Sequence, residues 1–219
     1  MPYFTVDNSN NLVVTNFKVM FSSFKKTPNF TKIKRYKTRL LTKYSRPEVH
    51  FTVRDPYQKA ISLYKDKFQK IPQNIDLGKP FKWEKPQRVF FPYMGLSLKH
   101  NSDLEIQQAL INTSFDDYVK LLEKCYWQDE HIQPQYWILN HPNYWFLKDL
   151  GADPARLNIY KMDRPEEMEA FASATGFDFS NRANSTGAIE PPPAISAESL
   201  QIINSIYSED FAAFGYERK

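Results

Sequence analysis

The sequence has one cysteine, few glycines and no long apolar run, and each of these shortages excludes a class of protein. Cys125 cannot form an intramolecular disulfide and has no second cysteine for structural zinc, which favours a reducing compartment. With only 6 glycines, the chain contains no G-x-x-x-x-G-K-[ST] phosphate loop. It has no apolar run of about 18 residues, and residues 1–7 lack the features of a signal peptide. We therefore expect a soluble, cytoplasmic protein without a membrane span.

Composition and charge are those of an ordinary globular protein. Of the 219 residues, 42% are hydrophobic and 16% aromatic, so one core can be buried and a single domain over residues 1–219 is expected. Lys and Arg number 29 against 25 Asp and Glu, a net charge of +4. This mild excess suits an anionic ligand but does not identify one.

Three β-branched and aromatic runs, at residues 11–15, 49–53 and 157–160, are typical of strands. Segments with helical character follow them along the chain. The alternation predicts an α/β fold with a central, mainly parallel sheet flanked by helices. Ligands in such folds bind beyond the C-terminal strand ends, so we expect the site at the loops after Phe17 and Val53.

Capping residues predict where several helices begin and end. Asp55 is a good N-cap with Pro56 at the first helical position, and Ser114 is the N-cap of a later helix. Gly176 closes a helix, and Gly215 closes either one long helix or two short ones. These boundaries place one helix directly after the predicted strand at residues 49–53.

Residues 71–100 are rich in proline, aromatic and basic side chains and show little helical periodicity. Disordered segments rarely carry so many aromatic residues. We therefore expect an ordered excursion rather than a linker.

The loop at residues 17–26 follows a predicted strand and precedes a predicted helix. Its backbone N–H groups, hydroxyls and lysines can converge on a phosphate at a helix N-terminus, where the dipole favours an anion. A solvated basic loop explains the same residues equally well.

A second loop, residues 53–68, places Arg54 at a strand end and Ser62 inside the following helix. A guanidinium matches phosphate oxygens in a planar fork, and the serine can add a hydroxyl. A capped helix with a surface pair between Arg54 and Asp55 is at least as good an explanation of this loop alone.

Both loops resemble the phosphate-binding segments of the Golgi-type carbohydrate sulfotransferases, which use 3′-phosphoadenosine 5′-phosphosulfate (PAPS). The second resembles the 3′-phosphate segment, V-R-D-P with a Ser eight residues after the Arg and a Tyr two further on, matched by Arg54, Ser62 and Tyr64. The first resembles the 5′-phosphosulfate loop P-K-V-x-x-[ST]-[ST]-W-K, with Phe17 and Phe24 departing from its proline and tryptophan.

Later segments resemble the same family in the same order. Residues 129–135, D-E-H-I-Q-P-Q, are similar to its D-x-H-W-x-P-Q element, and residues 114–119 to the helix before it. Residues 184–186 and 207–216 are similar to its closing elements. The match spans residues 17–216, and so many elements in sequence order are hard to obtain by accident.

The resemblance implies in-line sulfuryl transfer from PAPS to a hydroxyl of a carbohydrate or other alcohol, on a P-loop-like three-layer fold, with 3′,5′-adenosine bisphosphate (PAP) as product. It implies that Lys18 stabilises charge on the leaving phosphate oxygen. The donor would be held by Lys18, Ser22, Ser23, Phe24, Lys25, Arg54 and Ser62. No metal is required, because lysines supply the positive charge.

A hydroxyl acceptor needs a general base, and histidine is the usual choice. The chain has four histidines: His50, His100, His131 and His141. His131 lies in the family-like element and ranks first as the catalytic base. Its alternative role is helix packing or orientation of the substrate. A carboxylate can serve instead: Glu48, Asp129 or Glu130.

Two other functions fit part of the sequence. Residues 25–43 form a basic stretch interleaved with Phe and Tyr, which suits a nucleic-acid-binding module or the recruitment of a polyanionic acceptor. The altered first loop also allows a non-catalytic relative that binds PAPS or PAP. We expect a hydroxyl-bearing acceptor, and no nucleic acid, as the partner. The excursion at residues 71–100 has no counterpart in the resemblance, so we place the choice of acceptor there.

Overall fold

A computed structural model describes most of the chain. The described residues are 3–16, 19–71, 81–140, 154–179 and 193–219. They belong to two compact units. One unit comprises residues 1–55 and 135–191, and the other comprises residues 56–134 and 192–219. The expectation of a single domain stays a prediction.

The first unit contains a five-stranded sheet. Its strands are β1 (Tyr3–Val6), β2 (Asn11–Thr15), β3 (Phe30–Ile33), β4 (Glu48–Val53) and β5 (Leu157–Lys161). The spatial order is β3-β1-β2-β4-β5. Strand β2 pairs with β4 and β4 with β5 in parallel, whereas β1 is antiparallel to both β2 and β3. Only β1 opposes the other strands, so the predicted α/β fold with a mostly parallel sheet is confirmed.

The described part of the chain contains ten α-helices. They are α1 (Phe21–Lys26), α2 (Arg35–Tyr44), α3 (Pro56–Tyr64), α4 (Lys85–Arg88), α5 (Asp103–Asn112), α6 (Phe115–Glu123), α7 (Trp137–Asn140), α8 (Pro165–Thr175), α9 (Ala197–Ile206) and α10 (Ser208–Phe214). A π-helical turn at Lys65–Gln69 continues α3, and short 3-10 turns occupy Phe91–Met94 and Pro154–Arg156.

Several helices begin and end at the predicted residues. The Ser114 hydroxyl accepts a hydrogen bond from the Asp117 N–H at 3.1 Å, which caps α6. Gly176 ends α8 with φ +67° and Gly215 ends α10 with φ +61°, conformations that favour glycine. Tyr207 separates α9 from α10, so the last helical segment is two helices.

An aromatic cluster forms the core of the first unit. The ring of Phe24, on α1, is fully buried and contacts the rings of four other phenylalanines at centroid distances of 5.3–5.9 Å. These are Phe4, Phe30, Phe171 and Phe177. They come from β1, β3 and α8 and from the residue after Gly176. Their burial holds α1 and α8 against the sheet.

The second unit has its own core, centred on α3, α5, α6 and α9. Tyr64 and Phe68 pack with Tyr118, at centroid distances of 5.4 and 5.1 Å. The segment at residues 81–100 joins this core through Trp83 and Phe90, both buried. The indole N–H of Trp83 donates to Asp103 on α5 at 2.6 Å. The described part of the predicted excursion is therefore packed, while its role in acceptor choice stays a prediction.

Candidate active site

The two candidate phosphate loops leave the same edge of the sheet. Strand β2 ends at Thr15, β4 ends at Val53, and Thr15 lies opposite Thr52 in the parallel register. Parallel neighbours have their C-terminal ends at one edge. Residues 17–26 and Arg54 therefore follow adjacent strand ends in the same unit.

The first loop is held close to the end of β2. The Thr15 hydroxyl donates to the Val19 carbonyl, and the Val19 N–H donates to the carbonyl of Asn16 at 3.2 Å. Asn16 is 2% exposed, and its side-chain amide nitrogen has no hydrogen-bond partner in the described part of the chain. The predicted residue Lys18 lies outside the described residues, as does Phe17.

Helix α1 starts immediately after this turn. Met20 adopts a left-handed conformation with φ 55°, and the Phe24 N–H donates to its carbonyl at 3.0 Å. Ser22 and Lys25 are exposed, whereas Ser23 is buried. The first N–H groups of any helix lack a carbonyl partner within that helix, which is the general basis of the predicted anion-binding turn. Binding of an anion at the start of α1 stays a prediction.

Phe24 is buried, as Ser23 is, and its side chain is part of the core. Its ring is fully buried in the aromatic cluster, and its N–H belongs to the hydrogen-bond ladder of α1. The ring therefore anchors α1 to the core and presents no exposed surface to a ligand. Sequence reasoning matched this position to a tryptophan of the family loop but did not assign it to the core.

Gln135 fixes the backbone of the second loop. Its side-chain oxygen accepts from the Arg54 N–H at 2.9 Å, and its amide nitrogen donates to the Arg54 carbonyl at 2.7 Å. Gln135 is fully buried and Arg54 is half-buried. This two-bond clamp was not predicted, although Gln135 is the last residue of the family-like element at residues 129–135.

Ser62 is half-buried on α3, in the second unit.

His131 forms a close pair with Asp129 in the second unit. The Nδ1 atom of His131 lies 2.6 Å from Asp129 Oδ1, and the His131 backbone N–H donates to the same oxygen at 2.9 Å. Lys85 Nζ lies 3.4 Å from the other carboxylate oxygen. The histidine side chain is 22% exposed and the aspartate side chain 4%.

Asp129 is held in its charged form. Burial raises the pKa of Asp129, but hydrogen bonds from the ring and backbone of His131, together with the charge of Lys85, outweigh burial and bring it below its ordinary value. A carboxylate at Nδ1 favours the tautomer that carries its proton there, which makes Nε2 the basic nitrogen. The pair has the chemistry of an oriented general base.

Two buried side chains hold the backbone beside His131. The amine of Lys59 donates to the Gln133 carbonyl, and the Tyr207 hydroxyl donates to the Ile132 carbonyl at 2.9 Å. Lys59 Nζ also lies 4.8 Å from the centre of the Tyr207 ring. Lys59 was not singled out in the sequence, because a lysine on a helix is usually solvated.

The charge of Lys59 is costly in this position. It is 1% exposed, and burial lowers its pKa to about 8, while the nearby carboxylate of Asp210 opposes that change. Asp210 is itself fully buried. An amine so placed binds a backbone carbonyl in either protonation state, so its hydrogen bond can persist when the proton is lost.

His50 lies in the sheet of the first unit, as the sequence predicted. Its Nδ1 atom is 3.0 Å from the Tyr160 hydroxyl, and the two rings stack at 5.8 Å. Burial lowers the pKa of His50, with Glu48 opposing. Burial and ring stacking favour the structural role expected for His50, which stays a prediction.

The described residues contain no group of three or more His, Cys, Asp or Glu side chains placed to hold a metal ion. Over the same residues, none of the helices combines the length and apolar character needed to cross a bilayer. His100 is exposed, and His141 lies outside the described residues.

The chain belongs to the sulfotransferase family, whose family model matches residues 3–217. That family includes the carbohydrate sulfotransferases, so the resemblance carried by the two loops is confirmed at the level of the family. Membership implies a transferase that moves a sulfuryl group. Neither the curated proteins nor the solved structures contain a significant match to this chain.

Proposed function

We propose that this protein transfers a sulfuryl group from PAPS to a hydroxyl of a carbohydrate or another alcohol. The observation that carries the proposal is the arrangement of the two loops, which leave neighbouring parallel strands at one sheet edge. Two candidate phosphate-binding loops at adjacent strand ends suit a donor with phosphates at both its 5′ and 3′ positions. The proposal includes a P-loop-like, three-layer arrangement around the sheet.

The first loop is the proposed 5′-phosphosulfate site. In this proposal Ser22, Ser23 and Lys25 bind the 5′-phosphate, and Lys18 stabilises negative charge on the oxygen that leaves with it. Phe24 acts indirectly, because its buried ring fixes α1 at the end of the loop. The buried amide nitrogen of Asn16, which has no hydrogen-bond partner among the described residues, supports a polar ligand at this edge of the sheet.

The second loop is the proposed 3′-phosphate site. Arg54 supplies a planar pair of donors, and the Gln135 clamp limits where its backbone can lie. Ser62 adds a hydroxyl. Recognition of the 3′-phosphate is what separates PAPS from simpler adenine nucleotides, so Arg54 is assigned the choice of donor.

At the acceptor end, His131 is the proposed general base. The acceptor oxygen bonds to sulfur as the bond between sulfur and the 5′-phosphate oxygen breaks, and PAP leaves with that electron pair. The acceptor proton passes to His131 Nε2, and the Asp129 carboxylate stabilises the imidazolium that forms. The positive charge that this transfer needs comes from lysine side chains, without a metal.

Thermal denaturation with PAP, AMP and ATP tests the donor assignment. A ligand at about 100 times its dissociation constant adds roughly 2.7 kcal/mol of stability by mass action. We expect PAP to raise the melting temperature well above the value with AMP at the same concentration. A shift with PAP no larger than that with AMP would remove the main support for the proposal.

Arg54→Ala should abolish the preference for PAP over AMP, because the 3′-phosphate loses its bidentate partner. Arg54→Lys keeps the charge without the fork and should retain only part of the preference. Arg88→Ala, which removes an exposed arginine elsewhere, is the matched control and should leave the preference intact. Equal preference in all three variants would refute the role of Arg54.

A further inference from the structure

The positive charge of this chain is concentrated in one segment. Residues 8–47 contain ten lysines and arginines and no aspartate or glutamate, although the whole chain carries a net charge of only +4. The remainder of the protein is therefore net negative. So uneven a distribution gives the segment a local field that attracts anions.

Helix α2, Arg35–Tyr44, is the most exposed helix of this segment. Thr38 is its only buried residue. Three large apolar or aromatic side chains point away from the core: Tyr36 is 58% exposed, Leu40 53% and Tyr44 72%. Residues spaced four apart lie on one helix face, so these three form a continuous stripe.

Basic side chains border the stripe on both sides. Lys37 lies along one flank, and Lys43 along the other, with its Nζ atom 5.3 Å from the centre of the Tyr44 ring. Lys32 and Lys34, just before α2, are also exposed. A purely solvated helix face carries charged and polar residues at its centre, whereas here the centre is apolar.

We propose that α2 is a docking surface for an anionic lipid membrane. The stripe of Tyr36, Leu40 and Tyr44 enters the boundary between headgroups and acyl chains, and Lys37 and Lys43 contact the anionic headgroups. The helix is already folded against its unit, so docking carries no cost for helix formation. The proposal is independent of the sulfotransferase reaction.

The apolar stripe distinguishes a membrane from a soluble polyanion. A nucleic acid or sulfated glycan is attracted by the lysines, and its binding needs no aliphatic contact from Leu40. A lipid surface uses both parts of α2, because apolar burial and headgroup attraction add. The stripe at the centre of the basic face therefore favours lipid.

Vesicle sedimentation with the full chain tests this proposal. We expect binding to phosphatidylcholine vesicles with about 30% phosphatidylserine and little binding to pure phosphatidylcholine. Lys37→Ser/Lys43→Ser should weaken vesicle binding roughly 25-fold, at about a factor of five for each basic side chain. Tyr36→Ser/Leu40→Ser should weaken it at least tenfold while leaving retention on a heparin column unchanged.

Leu98→Ser/Lys99→Ser is the matched control, since both residues are exposed in the other unit. It should bind vesicles as the wild type does, and circular dichroism should show that every variant keeps its helix content. Absence of wild-type binding to the anionic vesicles would overturn the proposal. Equal binding by the Tyr36/Leu40 variant would also overturn it and would indicate a soluble polyanion, tested directly with duplex DNA and heparin.

Discussion

Replacement of Lys59 tests whether a buried amine in this fold loses its proton near neutral pH. Burial lowers its pKa to about 8 from 10.5. Below about pH 8 the amine is charged in the folded and the unfolded chain, and between the two values only the unfolded chain keeps the proton. The unfolded state then binds more protons, so the free energy of unfolding rises with pH across this window.

The structure sets the size of this effect. The difference between the two pKa values corresponds to about 3 kcal/mol, since one pKa unit is about 1.36 kcal/mol. By proton linkage, the free energy of unfolding rises by about 2 kcal/mol of this total between roughly pH 7.5 and 9.5. The buried carboxylate of Asp210 keeps the effect from being larger, because it favours the charged amine.

Urea denaturation at several pH values gives the required free energies for the wild type, Lys59→Met and Lys59→Arg. Methionine has no proton to lose, and arginine stays charged throughout this pH range while keeping a cation near Asp210. As the pH rises, the free energy of unfolding of the wild type should therefore increase by about 2 kcal/mol relative to that of both variants. The methionine variant also leaves the Gln133 carbonyl without its donor, a constant cost of about 1–3 kcal/mol.

Comparison with two variants separates Lys59 from other groups that titrate in the same range. Burial raises the pKa of Cys125 to about 12, for example, and its contribution is common to all three proteins. The quantity to compare is the free energy of unfolding of the wild type minus that of each variant. If it changes by less than about 0.5 kcal/mol over this pH range for both variants, Lys59 titrates as an exposed lysine does. The account of the buried amine would then be wrong.

Two further predictions concern a proposed catalytic pair and a helix end. Asp129→Asn should lower kcat for sulfuryl transfer about 10- to 100-fold with PAP affinity unchanged, because the amide no longer stabilises the imidazolium that forms at His131. An unchanged kcat would limit Asp129 to packing. Gly176→Ala should cost about 1–2 kcal/mol in chemical denaturation. Its φ is +67° and its new Cβ would lie 3.1 Å from the amide nitrogen of Asn29; an unchanged midpoint would contradict the strain at Gly176.

Local signals in the sequence predicted the helix boundaries and the central strands. The serine at position 114 and the glycine at 176 act through neighbours within four residues, so their effect can be recognised without tertiary structure. The apolar runs of β2, β4 and β5 are equally local. Strands β1 and β3 were not predicted, because each has four residues and is defined by antiparallel pairing rather than by its own periodicity.

The parts of the candidate site that escaped prediction depend on distant partners. The amine of Lys59 contacts the Gln133 carbonyl and the Tyr207 ring. These two residues lie 74 and 148 positions away from Lys59 in the sequence. Gln135 binds the backbone of Arg54 across 81 positions. No pattern within a single helix or strand encodes such contacts, whereas the loop motifs themselves were visible in the sequence.

Transfer of labelled sulfate from PAPS is the most direct test of the proposed activity. The purified chain would be incubated with radiolabelled PAPS and a panel of glycans, lipids and small alcohols, beside Lys18→Ala. We predict labelled product and PAP with the wild type, and a much larger loss of transfer than of PAP binding in the variant. Tight PAP binding with no labelled product from any acceptor would contradict the account and identify a nucleotide-binding relative without catalytic activity.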